Sequence, residues 1–98
     1  MPAYELHFHE EALAEWHSLD AGIRSRLKKK LERRLSHPDV ESARLSGELA
    51  GLFVIRMHGD GIRLIYEIDQ SQQKIIVASV GRRENLSAYK GAVQRKQN

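Results

Sequence analysis

Cysteine is absent from the 98-residue sequence, which excludes disulfides and thiolate-held metal ions and makes a reducing cytoplasm the simplest setting. Long apolar runs are absent too, and nothing approaches the roughly 18 residues of a membrane-spanning helix. The opening MPAYELHFHEE has neither the basic start nor the apolar stretch of a secretory signal. A soluble cytoplasmic protein with no membrane role is expected. No repeat, low-complexity tract or linker interrupts the chain, so residues 1–98 are expected to form one small domain.

Residues 1–21 lack lysine and arginine altogether and carry Glu5, Glu10, Glu11, Glu15 and Asp20. The balance then inverts. Between Arg24 and Arg34 seven basic residues face Glu32 alone, and Arg82, Arg83, Lys90, Arg95 and Lys96 form a second basic group. The net charge is +3 with a pI of about 9.4. This asymmetry suits a polyanionic partner, either nucleic acid or an acidic protein. For residues 24–34 a merely solvated helix face fits equally well.

Alternation makes YELHFH (Tyr4–His9) a first strand. In EEALAEWHSL, Leu13 and Trp16 lie three apart, and Ala12 and Leu19 extend an apolar helical stripe. Asp20 is placed to cap the next helix, where Ile23, Leu27, Leu31 and Leu35 recur every fourth residue. Pro38 ends that helix, because proline disfavours helix at the residue before it. Residues 39–51 read as a loop anchored by Leu45 and punctuated by Gly47 and Gly51. Strands are expected at Leu52–His58, Ile62–Asp69 and Lys74–Val80, the last apolar on both faces and therefore central. Ser87–Arg95 reads as a short C-terminal helix. The fold class is α+β: a small antiparallel four-stranded sheet in the order β-α-α-β-β-β-α, with the helical hairpin packed on one face.

VIRMHGDGIRLIYEI places one arginine in each arm of an apolar hairpin. A two-residue loop at Gly59-Asp60 sets Arg56 opposite Arg63, whereas a loop at Asp60-Gly61 sets His58 there. In both registers Arg56, His58 and Arg63 share a face. A three-residue loop would separate the arginines. Facing like charges cost roughly 0.2–1 kcal/mol, so stability alone does not account for the pair. With GRRE following the third strand, Arg82 and Arg83 bring further guanidinium groups towards a shape suited to a phosphate chain.

His7 and His9 sit two apart on a strand, but without cysteine or a third ligand they read as surface histidines. Trp16 and Tyr66 fit apolar stripes and are assigned to the core. Tyr4 fits either core or surface.

The segments EEALAEWHSLD, RSRLKKKLERRLSHP, ARLSGELAGLFVIRM, GDGIRLIYEID and VASVGRRENLSAYKGAV together resemble RelE-type toxins of the RelE/ParE toxin–antitoxin superfamily. The likeness extends over almost the whole chain. It implies a RelE-like domain and a type II toxin that acts as a ribosome-dependent mRNA interferase. Such a toxin cuts mRNA in the A site by 2′-hydroxyl attack, without a metal or other cofactor. By similarity Arg63 holds the scissile phosphate and stabilises its charge, Arg83 protonates the leaving oxygen or neutralises its charge, and Tyr89 stacks on or orients a codon base. Arg56 completes the catalytic set. Arg44, His58, Arg82 and Lys28, Lys29 and Lys30 are candidates for contact with RNA or the ribosome. The implied partners are a cognate RelB-like antitoxin, the 70S ribosome and mRNA, with operator DNA reached through the antitoxin in a hetero-oligomer. An antitoxin acting on the short helix near Tyr89 would remove a site residue.

Two departures stand out. Val54 and Arg56 occupy positions where relatives carry alternating lysines. Arginine stays protonated, with a pKa above about 12, so Arg56 is unsuited to the proton-accepting role of a lysine there. His58, with an ordinary pKa of about 6.5, is the nearby group suited to proton transfer, although its place beside the turn also fits a surface residue. The lost charge at Val54 keeps open a ParE-like gyrase inhibitor that acts by binding. A third reading is a silent member that only binds its antitoxin.

Overall fold

Each of the expected helices forms in the computed structural model, which describes residues 3–83 and 86–96. α1 spans Glu10–His17 and α2 spans Ala21–Ser36. Asp20 caps α2 as expected, its Oδ2 accepting the Gly22 N–H at 3.0 Å. Leu27 and Leu31 are fully buried. In α1 the inward face is Ala12, Glu15, Trp16 and Leu19, whereas Leu13 is 40% exposed. The expected place of Leu13 in the apolar stripe is therefore corrected. An inner face built at i, i+3, i+4 and i+7 from Ala12 excludes its neighbour. His9 serves as the N-cap of α1, its Nδ1 accepting the Glu11 N–H.

The strands are β1 (Glu5–Phe8), β2 (Leu52–Met57), β3 (Ile62–Asp69) and β4 (Lys74–Arg82), in sheet order β1-β4-β3-β2. β4 is interior, as its doubly apolar pattern requires. The expectation of an all-antiparallel sheet is corrected at one pair: β1 runs parallel to β4, and the β2–β3 and β3–β4 pairs are antiparallel. A parallel pair needs a long crossover, which the helical hairpin and the β2–β3 arms supply. Residues 39–51 contain two short 3₁₀ turns, Glu41–Ala43 and Gly47–Leu49.

Helices also cover both faces rather than one. α1 and α2 bury Phe53, Ile55, Met57, Leu64, Tyr66 and Val77 on the first face. α3 (Ser87–Lys96) lies on the second, where Ala88 and Ala92 meet Leu52, Val54, Ile65 and Ala78. The two chemistries differ. The first face packs large aliphatic and aromatic groups, and the second packs small ones.

Tyr66 knots the first core. Its hydroxyl donates to the Pro38 carbonyl at 2.7 Å and accepts from Arg34 Nη1 at 2.9 Å. Its ring stacks on Phe53 with centroids 5.4 Å apart. Burial raises the phenol pKa, and the Arg34 hydrogen bond opposes that rise. Because the folded-state pKa is the higher one, this contribution to stability is whole below about pH 10, the ordinary phenol value, and is lost as pH rises through the folded value. Tyr66→Phe should lower unfolding free energy by about 1–3 kcal/mol, since the buried Pro38 carbonyl loses its partner. Urea melts at pH 7 and above pH 10 should show the gap between variant and parent narrowing in alkali.

Candidate functional site

The hairpin register decides where the arginines fall. Met57 pairs with Ile62, and Arg56 lies directly opposite Arg63. That is the first of the two expected registers, closed by residues 58–61. Gly61 adopts φ +66 there, a left-handed conformation that glycine takes without a Cβ clash. Asp60 is held from below by Arg26, with Nη2 to Oδ1 at 3.0 Å, so the turn is tied to α2.

Alternation sends Arg56 and Arg63 to the second face, together with Val54 and Ile65. Arg63 also faces Gly81 across the β3–β4 ladder. The Arg83 N–H donates to the Gly61 carbonyl at 2.7 Å. This extends the ladder by one residue and carries Arg83 to the face of Arg63. Arg82 pairs with Ile62 instead and turns to the first face, lining a cleft with Ser18, Asp20 and Ile23. The structure thus unites Arg56, Arg63 and Arg83 and parts Arg82 from them. Glu84 of the GRRE segment lies outside the described residues.

Tyr89 reaches the same face from α3, half-buried against the cluster of Val54, Ile65 and Ala78. Gly81 permits this approach, since a Cβ there would stand 2.6 Å from the Ala88 nitrogen. Val54 is 1% exposed. Its position lies beneath α3, so an apolar residue there suits the packing that carries Tyr89.

The electrostatics separate this trio from the other arginines. Arg63 is 5% exposed, and among the described residues its guanidinium donates one hydrogen bond, from Nη1 to the Ile62 carbonyl at 3.1 Å. Most of its five N–H donors have no partner among the described residues. Among the described residues neither Arg63, Arg56 nor Arg83 has a carboxylate partner. Elsewhere Arg34 binds Tyr66, Arg44 binds Asp39 at 2.9 Å, and Arg95 binds Glu15 at 2.8 Å. Guanidinium groups on one sheet face that also carries an aromatic ring have the chemistry to grip a phosphate and stack a flat base.

The remaining candidates are dispersed. Arg44 bridges to Phe53 on the outer edge of β2. His58 is exposed in the hairpin turn, past the last ladder pair. Lys28, Lys29 and Lys30 are exposed on α2, which packs on the opposite face. Among the described residues no group of three His, Asp or Glu side chains could hold a metal ion, and His7 instead contacts Glu5 at 3.1 Å. The second basic group is also narrower than its composition suggests. Arg95 and Lys96 are consumed internally, Arg95 by Glu15 and Glu11 and Lys96 by the carbonyls of Ala50 and Glu48. Sequence patterning held no signal for the Glu15–Arg95 pair, whose members are 80 residues apart.

Comparison with known proteins gives a consistent answer. The family model for the ParE toxin of the type II toxin–antitoxin system parDE matches residues 6–86. The chain is 39% identical over 93 residues to the mRNA interferase toxin RelE of Escherichia coli K12, covering 95% of this chain and 97% of that one. A doubly substituted E. coli RelE in the free state superposes with a TM-score of 0.85 at 37% identity, covering 96% of this chain and 98% of that one. The same toxin bound to a RelBc antitoxin peptide gives 0.79 at 36% identity, covering 93% and 95%.

The Arg56–Arg63 contact is expected to cost stability and to do so electrostatically. Arg56→Thr should raise the unfolding free energy by about 0.2–1 kcal/mol at low salt. The gain should shrink as ionic strength rises and screening sets in, measured by urea unfolding at two salt concentrations.

Proposed function

Because the chain belongs to the ParE toxin family of type II toxin–antitoxin systems, and within it to the RelE type, we propose that the Arg56, Arg63 and Arg83 face is its mRNA-cleaving site. The chain is a toxin of such a system and an mRNA interferase. On our reading it works in the cytoplasm on the 70S ribosome, cutting A-site mRNA through attack of a 2′-hydroxyl on the adjacent phosphate. The observation that carries this reading is the placement of Arg56, Arg63 and Arg83, which have no carboxylate partner among the described residues, on the sheet face that α3 and Tyr89 cover.

The chemistry needs an in-line geometry and relief of the charge that accumulates on a pentacoordinate phosphate. Fixed cations in a partly water-excluded place supply the second requirement. Arg63, nearly buried and under-bonded, holds a non-bridging oxygen. Arg56, directly opposite, clamps the same phosphate from β2. Arg83 meets the leaving 5′ oxygen as negative charge develops there, and Tyr89 stacks on the neighbouring base. The ribosome aligns the strand, so the protein needs little acid–base machinery of its own. The 2′-hydroxyl proton passes to a group other than Arg56, which has no basic form at physiological pH. The exposed lysines of α2 add salt-sensitive attraction to ribosomal RNA.

The neutralising partner on this reading is a RelB-like antitoxin, as RelBc is in its complex with E. coli RelE. The toxin–antitoxin assembly would reach operator DNA through the antitoxin.

Arg63→Ala and Arg83→Ala should each abolish growth arrest and reduce cleavage on A-site-vacant ribosomes by roughly 10²–10³. Far-UV circular dichroism should show both variants folded. Primer extension measures the cleavage, with a gyrase supercoiling assay run beside it. Intact mRNA together with inhibited supercoiling would identify a ParE-like gyrase poison instead.

A further inference from the structure

β1 pairs with β4 only as far as Val77. Beyond that point the β4 edge has no strand beside it, and two side chains take the strand's place. Glu15 Oε1 accepts the Val80 N–H at 3.0 Å, and Arg95 Nη1 donates to the Ala78 carbonyl at 2.8 Å. The two side chains also bind each other in a fork, Nη1 to Oε1 at 2.8 Å and Nη2 to Oε2 at 2.9 Å. Glu11 adds a contact to Nη2 at 3.2 Å. The Arg95 side chain is 7% exposed. The Glu15 hydrogen bond raises its pKa further above the usual guanidinium range, against burial, which lowers it, and Glu11 adds to the rise.

The clamp therefore joins α1 on one face to α3 on the other through the edge of the central strand. α3 has little else of comparable strength. Its packing residues are Ala88, Gly91 and Ala92, and a Cβ on Gly91 would lie 3.3 Å from the Ser79 Cβ. Small groups allow close approach but make a shallow interface that does not by itself fix rotation or sliding. Ser79 Oγ donates to the Ala88 carbonyl at 2.5 Å, and Ser87 Oγ accepts the Arg82 N–H at 3.0 Å. Both pins sit at the first turn of the helix. Beyond Tyr89 the helix is held by Arg95 and, at its last residue, by Lys96, whose ammonium donates to the exposed-loop carbonyls of Ala50 and Glu48; only Arg95 ties it to the sheet.

We propose that Arg95, held by Glu15, is a positioning residue for Tyr89, fixing α3 in the register that sets the tyrosine on the sheet face of the arginine trio. The proposal rests on the cleavage function assigned above and gives that site a second support, far from the phosphate. A buried ion pair of this kind contributes modestly to net stability, yet removing one partner strands the other. Its value here is in placement.

The test is a double-mutant cycle between Arg95→Met and Tyr89→Ala, read as single-turnover cleavage of ribosome-bound mRNA. Arg95→Met and Glu15→Gln should each slow cleavage by about tenfold or more, with apparent affinity for the ribosome unchanged within about twofold. In the Tyr89→Ala background Arg95→Met should add no further loss. Full additivity of the two losses, or an unchanged rate in Arg95→Met, overturns the proposal. If Arg95→Met does not fold, Arg95→Lys, which keeps the charge and loses the fork, takes its place in the cycle. Amide hydrogen exchange of residues 87–93 provides an arm that does not depend on cleavage. Protection should fall there in the clamp variants and persist in β3 and β4, and unchanged protection of α3 counts against the clamp. Should the parent protein cut no mRNA on ribosomes, the cleavage function fails, and the exchange arm still decides whether the clamp fixes α3.

Discussion

One extra residue in β4 governs which side chains each face of the sheet receives. Ile65 pairs with Ser79 and Tyr66 with Val77, leaving Ala78 as the bulged residue. Ala78 and Ser79 consequently both serve the α3 face, one by packing and one through its hydroxyl. Past the bulge the phase of β4 is shifted by one. That shift sets Gly81 and Arg83 on the face of Arg63 and sends Arg82 to the other. Without it the two neighbouring arginines would exchange places, because a one-residue slip reverses every side chain. α3 could not then settle over a glycine, and the cluster would lose a member.

The same sheet separates two populations of arginine. Arg26, Arg34 and Arg95 fasten elements together, reaching the hairpin turn, the Tyr66 knot and the β4 edge respectively. Arg56, Arg63 and Arg83 fasten nothing comparable and crowd like charge onto one face. The first group offsets what the second costs. Packing follows the same division. The α1–α2 face buries groups the size of leucine and tyrosine, whereas Ala88 and Ala92 contribute only about 0.8 kcal/mol per methylene-sized group. The face that carries Arg56, Arg63 and Arg83 is thus the one with the thinner apolar cover.

Much of this was legible in the residues. The four-residue spacing in α2, the Asp20 cap and the interior position of β4 follow from local pattern, whereas the Arg56–Arg63 register is one of two that the residues leave open, and the stronger turn pair, Asp60-Gly61, points to the other. The locations of Arg63, Arg83 and Tyr89 on one face agree with the resemblance to RelE-type toxins, although the roles assigned to them rest on our reading of that face. Three features were hidden. The parallel β1–β4 pair depends on how a crossover closes, which no window of sequence reports. The Ala78 bulge lies within KIIVASV, where every residue is compatible with regular pairing. The Glu15–Arg95 fork joins two residues that each read as ordinary surface charge, so only tertiary contact reveals it. Leu13 shows the converse, an apolar residue whose helical neighbours left it outside.

The parallel pairing of residues 5–8 with residues 74–77 also orders events during synthesis. The strand made first has its neighbour only after most of the chain exists, and such distant pairings are slow to form. Ala12, Leu27 and Leu31 on the helical hairpin have no sheet to cover until then. Arg63 and Arg83 sit on the antiparallel β3–β4 hairpin, whose pairing is local and needs no β1. The arginine face is therefore built from short-range pairings, and the β1 edge closes the sheet from the far end of the chain.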